Sequence, residues 1–165
     1  MINTISITNL IPLLTIAKRP VFQDAPFSCP DTFKYLDKTY PGSKFILTMR
    51  NDSEQWYQSL IRFHTRMFGE GNAFQHQKTL KMQIMYEKIL YNMLKLYNTP
   101  DSDPYNKETL IAHYEKHNRE VLQYFKDRPE DLLVLNIAKA DDYNRFVEFI
   151  GVESPYSEFP WENKT

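Results

Sequence analysis

The sequence predicts an α/β fold of three layers, a mostly parallel sheet flanked by helices. Three observations carry that prediction. Two short apolar runs, KFILTM at 44–49 and LLVLNI at 132–137, have the continuous hydrophobic character of strands covered on both faces. Around and between them, apolar residues recur at three- to five-residue spacings over stretches long enough for helices. The glycines and prolines are scattered, leaving no low-complexity linker and no repeat of solenoid length. Strands that alternate with helices are joined by crossovers, and a crossover makes its two strands parallel. A chain of 165 residues buries roughly 70% of its unfolded surface on folding, so a single domain over 1–165 is expected.

The elements follow in order. The opening MINTISITNLIPLLTIAKRP is the most apolar stretch, but Asn9 and Pro12 interrupt it, and it falls short of the ~20 apolar residues that a membrane span requires. No basic residue precedes its apolar part, and Lys18 and Arg19 follow it without a small-residue cleavage site, so a signal peptide is not expected either. It reads as a strand or short helix, or as the start of a chain that begins late. VFQDAPF at 21–27 reads as a short strand with Asp24 near its end. Ser28 or Asp31 can cap a short helix through CPDTFKYLDKTY, closed by Pro41-Gly42-Ser43. After KFILTM, one of Asn51, Asp52 and Ser53 supplies the next N-cap, Glu54 places negative charge in the first turn, and Trp56, Leu60, Phe63 and Met67 form one helix face.

A long helix is expected from Gln77 to Tyr97, with Leu80, Ile84, Ile89, Met93 and Leu96 as its apolar positions and TPDSDPYN as its stop. Another runs from Lys107 to Lys126 through Leu110, Tyr114, Val121 and Phe125. A break at 127–130 leads into LLVLNI, and Asp141 or Asp142 caps a last helix that ends at Gly151. The tail SPYSEFPWENKT is expected to be an ordered loop.

Composition narrows the function. With 20 Lys+Arg against 21 Asp+Glu the net charge is -1, so no global field draws the chain to nucleic acid or to an anionic membrane. Any anion site must be local. The single cysteine, Cys29, cannot form an internal disulfide, which fits a reducing, cytoplasmic compartment and a buried, inert thiol.

The most informative stretch is KFILTMRNDSEQWYQSL, where a strand ends in Arg50 and a helix starts at once. In open α/β sheets, ligands bind beyond the carboxyl ends of the strands, beside the positive end of the following helix. Arg50 stands there, and Ser59, nearly two turns into that helix, has a hydroxyl to donate. Together they make a two-point clamp suited to phosphate or sulfate. The alternative is that Arg50 pairs with Asp52 or Glu54 while Ser59 faces a neighbouring strand.

FKYLDKTYPGSKFILTMRNDSEQWYQSLIRFH, YEKHNREVLQYFKDRPEDLLVLNI, the DDYNRFVEFIGV helix and the closing FPWENK resemble, in order and spacing, the cytosolic-type sulfotransferases of the P-loop superfamily. The resemblance covers the chain from about Val21 to its end. It implies a sulfotransferase-type, P-loop-like fold and transfer of a sulfuryl group from 3′-phosphoadenosine 5′-phosphosulfate to a hydroxyl or amine of a small-molecule or carbohydrate acceptor. It further implies that Arg50 and Ser59 hold the 3′-phosphate of that donor. Their separation is one residue longer than is usual in the family. The family also opens with a strand and a glycine-containing loop of the type PKSGTTS, which grips the 5′-phosphosulfate, and nothing in residues 1–20 resembles it. The fold is therefore expected to be N-terminally incomplete. The chain reads either as a sulfotransferase or as a truncated, noncatalytic homologue that binds a nucleotide or a protein.

Asp24 is the candidate general base for the acceptor's proton, with an N-cap for the helix through Phe33 as its alternative role. His113 and His117 in HYEKH lie four apart on one helix face, but no third ligand is evident and no metal site is expected. His64, between Arg62 and Arg66, reads as part of an acidic-substrate pocket or of a solvated helix face. Trp56 and Tyr57 read as core aromatics or as a stacking surface for a ring. The Met- and Tyr-rich segment KMQIMYEKILYNMLKLY is expected to pack over the sheet, where it would suit a hydrophobic acceptor.

Overall fold

β1 (Phe45–Thr48) and β2 (Leu132–Leu135) pair in parallel, with Phe45 opposite Leu132 and Thr48 opposite Leu135. The computed structural model describes residue 27 and residues 29–68 and 80–159, and within these the sheet has two strands. Parallel neighbours need a long crossover, and its described residues form three helices. α2 (Ser53–Phe68) follows β1, α3 (Leu80–Tyr91) continues as a π-helical turn through Asn92–Leu96, and α4 (Lys107–Tyr124) leads through a 3₁₀ turn at Pro129–Asp131 into β2. α1 (Thr32–Thr39) precedes β1, and α5 (Asp141–Ile150) follows β2. The described part is thus an α/β arrangement, with more helix than strand.

The chain divides into two compact units, Met1–Ser43 and Lys44–Thr165. In the first, α1 starts after Asp31, whose backbone is left-handed at φ 61°, and a turn through Gly42 at φ 82° follows the helix. Asp31 occupies the expected cap position, but its side chain makes no capping bond and instead pairs with Lys34 at 2.6 Å. The left-handed backbone turns the carboxylate away from the helix N–H groups, and the lysine three residues on takes it. Residues 1–26 and 28 lie outside the described residues, and with them the expected strand around Asp24.

In the second unit the core draws on α4, the sheet and α5. Leu110 is fully buried and Phe125 2% exposed, joined in the core by Val121, Leu133, Leu135, Met93 and Tyr143. The Phe125 ring lies 4.9 Å from Phe45 on β1, and the guanidinium of Arg128 sits 5.1 Å from the same ring. On β2, all four side chains are buried or half-buried, as expected for a strand covered on both faces. β1 departs from that expectation. Successive strand residues point to opposite sides. Phe45 packs on Phe125 and Leu47 is buried, whereas Ile46 remains 41% exposed. An apolar run reports the hydrophobicity of both faces but not whether a layer covers each one.

The helix boundaries follow local chemistry. Asp52 caps α2, accepting the Gln55 N–H at 2.6 Å, while the Gln55 side chain reaches back to the Asn51 N–H at 3.0 Å, a reciprocal arrangement close to a capping box. Asn106 caps α4 through the Thr109 N–H. α5 ends at Gly151 at φ 67°, with the Gly151 N–H on Glu148 and the Val152 N–H on Val147, a Schellman motif that needs a left-handed residue. The start of α5 differs from expectation. Neither Asp141 nor Asp142 caps it; Ala140 holds the cap position, and Asp142 accepts the backbone N–H of Asn136 at 2.6 Å and pairs with Arg145. The tail folds back, with Phe159 packed against Tyr143 at 5.1 Å and Phe146 at 5.5 Å, and Ser154 hydrogen-bonded to Tyr143. Among the described residues no helix is long and apolar enough to cross a membrane.

Because Phe125 joins α4 to β1, Phe125→Ala is expected to lower the unfolding free energy by about 3–5 kcal/mol, the usual cost of a cavity of that size. A denaturant titration measures it, and a loss below about 1 kcal/mol would show that the ring is not part of the core.

Candidate functional site

β1 ends two residues before Arg50, and the ladder is extended by Met49, whose N–H donates to Leu135 at 2.8 Å. The chain then turns through residues 50–52 into α2. Arg50 is half-buried, and its backbone N–H donates to the hydroxyl of Tyr114 on α4 at 3.0 Å. Its guanidinium reaches forward to the Ser59 hydroxyl at 3.4 Å, the long end of hydrogen-bonding range. The longer separation between the two residues does not keep them apart.

The structure removes the simplest alternative for this arginine. Among the described residues no carboxylate comes within ion-pair distance of Arg50. Asp52 is occupied as the helix cap, and Glu54 pairs with Lys107 at 2.7 Å. Those contacts, the Lys107 bond foremost, hold the Glu54 carboxyl below the usual carboxylate range. The Arg50 guanidinium is thus half-buried and faces a hydroxyl, at the carboxyl end of a parallel pair and ahead of a helix N-terminus, a place where anions are favoured.

Polar contacts from distant parts of the chain hold the turn in place. Asn136, buried at the end of β2, donates its side-chain N–H to the Asn51 side chain at 3.0 Å and accepts the Ala138 N–H. Asp142 holds the Asn136 backbone in turn, and that backbone bond, ahead of Arg145, keeps its carboxyl below the usual range. On the other side, Glu115 of α4 accepts from the Ser53 hydroxyl at 2.8 Å. The ring of Tyr114 lies flat on Trp56, with centroids 4.5 Å apart and planes inclined by 11°. Trp56 is half-buried, and its ring stacks on a side chain of the protein itself.

A family model described as a sulfotransferase domain matches residues 21–165. The chain belongs to the sulfotransferase family. Neither the curated proteins nor the solved structures contain a match. The expectations for this sulfotransferase-family chain meet the structure unevenly. Arg50 and Ser59 come together, whereas Asp24 lies outside the described residues. His113 and His117 form no metal-binding cluster among the described residues, and the His113 ring packs edge-on against Tyr97 at 4.6 Å. Sequence reasoning counted Tyr114 only as an apolar helix position, took Asn136 as part of the LLVLNI strand and weighed Glu115 only beside the two histidines of HYEKH. A polar amide within the apolar run LLVLNI was the one local signal available for Asn136.

The inner face of α2 also differs from expectation. Phe63 is 38% exposed, while His64 is buried and takes part in a hydrogen bond of 3.0 Å between its Nδ1 and the Tyr105 hydroxyl. Tyr57 donates to the backbone carbonyl of Tyr105 at 3.0 Å, so both α2 rings anchor the helix to the loop before α4. Burial pushes the Tyr105 hydroxyl up to about 12 and holds the His64 imidazole below its usual value. His64 is thus a structural residue of α2 rather than part of a solvated face. In the folded state its proton binds less readily than in the unfolded chain, so folding weakens as pH falls through the ordinary histidine value near 6.5. Burial lowers His113 in the same direction. The melting temperature is therefore expected to drop between pH 7.5 and pH 5.5, and His64→Gln to flatten that drop, His113 accounting for the remainder. Thermal melts across the range decide it, and an unchanged slope in the variant would contradict the assignment.

Proposed function

We propose that the chain binds the nucleotide end of 3′-phosphoadenosine 5′-phosphosulfate, with Arg50 and Ser59 on the 3′-phosphate, and serves sulfuryl transfer to a hydroxyl or amine of a small-molecule or carbohydrate acceptor. The observation that supports this is the half-buried Arg50 guanidinium, which faces the Ser59 hydroxyl and has no carboxylate among the described residues. Removing a cation from water without a counter-ion costs free energy, and a bound phosphate recovers it. The fork of the guanidinium matches two phosphate oxygens, and the serine hydroxyl suits a third.

The residues fit the group chemically. Arg50 supplies positive charge, Ser59 a neutral donor that orients the phosphate, and the start of α2 adds a favourable dipole. When bound, 3′-phosphoadenosine 5′-phosphosulfate supplies the sulfuryl group, and the residues described here anchor its nucleotide away from the reacting bond. Anchoring of that kind serves transfer by fixing the reactants in place rather than by lowering charge at the sulfur. The reading carries with it a wider, three-layer α/β sheet of P-loop type in which β1 and β2 are two of the strands.

Titration calorimetry with adenosine 3′,5′-bisphosphate tests the reading. The intact chain is expected to bind in the micromolar range, about -8 kcal/mol. Arg50→Ala is expected to abolish measurable binding, and Ser59→Ala to weaken it by roughly tenfold or more, the cost of a hydrogen bond to a charged group. Equal affinity in Arg50→Ala and the parent chain would remove the site.

A further inference from the structure

Three side chains far away in sequence converge on the turn that carries Arg50. Asn136 holds the Asn51 side chain, Glu115 holds the Ser53 hydroxyl, and Tyr114 holds the backbone N–H of Arg50 itself. Tyr114 differs from the other two in touching both supports of the clamp. Its hydroxyl fixes the arginine backbone, while its ring lies flat on Trp56, one helical turn ahead of Ser59 on α2. The hydroxyl cannot shift without disturbing the stack, and the stack cannot slide without moving the hydroxyl.

We propose that Tyr114 is the positioning residue of the anion site: by holding the Arg50 N–H with its hydroxyl and the Trp56 turn with its ring, it sets guanidinium and Ser59 hydroxyl at the separation a phosphate requires. The proposal rests on the assignment of Arg50 and Ser59 as a phosphate clamp. Its physical basis is the directionality of guanidinium binding. Two parallel N–H bonds to a phosphate form only when the fork is aimed, and an arginine on a loose backbone loses that aim before it loses its charge. An ammonium in the same place acts as a point charge and is far less sensitive to orientation.

Tyr114→Phe removes one oxygen and keeps the stacked ring, which makes it the direct test. Calorimetric titration with adenosine 3′,5′-bisphosphate is run on the full chain as parent, Tyr114→Phe, Arg50→Lys, the double variant and Arg50→Ala. Fluorescence of Trp56 in a Trp161→Phe background confirms that each is folded with the stack in place. Tyr114→Phe is expected to weaken binding roughly tenfold when Arg50 is present, the equivalent of one lost hydrogen bond, and less than about twofold when Arg50 is replaced by lysine. A residue that only stabilised the fold would lower both affinities equally, and that result, or no loss at all, overturns the proposal. Trp56→Phe provides a second route: it thins the stack without removing the hydroxyl, and is expected to give a smaller loss with the same dependence on Arg50. If Arg50→Ala binds as tightly as the parent, the clamp itself is wrong and the role of Tyr114 falls with it. If Arg50→Ala abolishes binding while Tyr114→Phe binds like the parent, the clamp stands and only the positioning role fails.

Discussion

The parallel pairing of β1 with β2 sends both strands out of the sheet at the same end, and every feature of the candidate site depends on that shared direction. Residues that follow β1, from Arg50 to Ser53, and the residue that follows β2, Asn136, become neighbours because of it. Antiparallel strands would have placed these two connections at opposite ends. The cost is a long crossover, whose loop entropy must be met before the strands reward it. α2, α3 and α4 occupy that crossover, and α4 brings the core residues Leu110, Val121 and Phe125. The same helix presents Tyr114 and Glu115 to the turn after β1, so the element that stabilises the sheet also shapes the site.

Two ways of treating charge sit side by side in this unit. Carboxylates are satisfied close to home: Asp52 at the helix cap, Glu54 on Lys107, Asp142 on the Asn136 N–H and Arg145, Asp131 on Arg128. Among the described residues, the Arg50 guanidinium faces a hydroxyl and no carboxylate. Exposed pairs such as Glu54 with Lys107 contribute little to stability, and their consequence here is different, since they take the nearby acids out of reach of the arginine. The separation of the cation from its local acids is the feature on which the proposed anion site rests.

How much of this was legible in the sequence depended on range. The strands and helices were visible because hydrophobic periodicity is local, and Gly151 marked the end of α5 because only a left-handed residue closes a Schellman motif there. Arg50 and Ser59 could be paired for the same reason, lying on a strand end and the adjoining helix. Tyr114, Glu115 and Asn136 could not, since their partners lie 64, 62 and 85 residues away. The buried face of α2 was misplaced by a different effect. His64 counts as polar, yet it buries an amphipathic ring because the Tyr105 hydroxyl meets its Nδ1. Phe63, more apolar by any scale, stays at the surface. The cap of α5 failed because Asp142, a good capping residue in isolation, is bound to the backbone of Asn136.

The account stands or falls on whether an anion reaches the turn between β1 and α2. Amide and arginine side-chain resonances of the isotope-labelled chain, followed by NMR during titration with adenosine 3′,5′-bisphosphate, test that directly. The account predicts saturable shifts concentrated at Arg50 to Ser53, at the Arg50 guanidinium and at Ser59, with weaker ones at Tyr114 and Asn136. Shifts that cluster elsewhere, or that leave the Arg50 guanidinium unmoved at saturation, would contradict it.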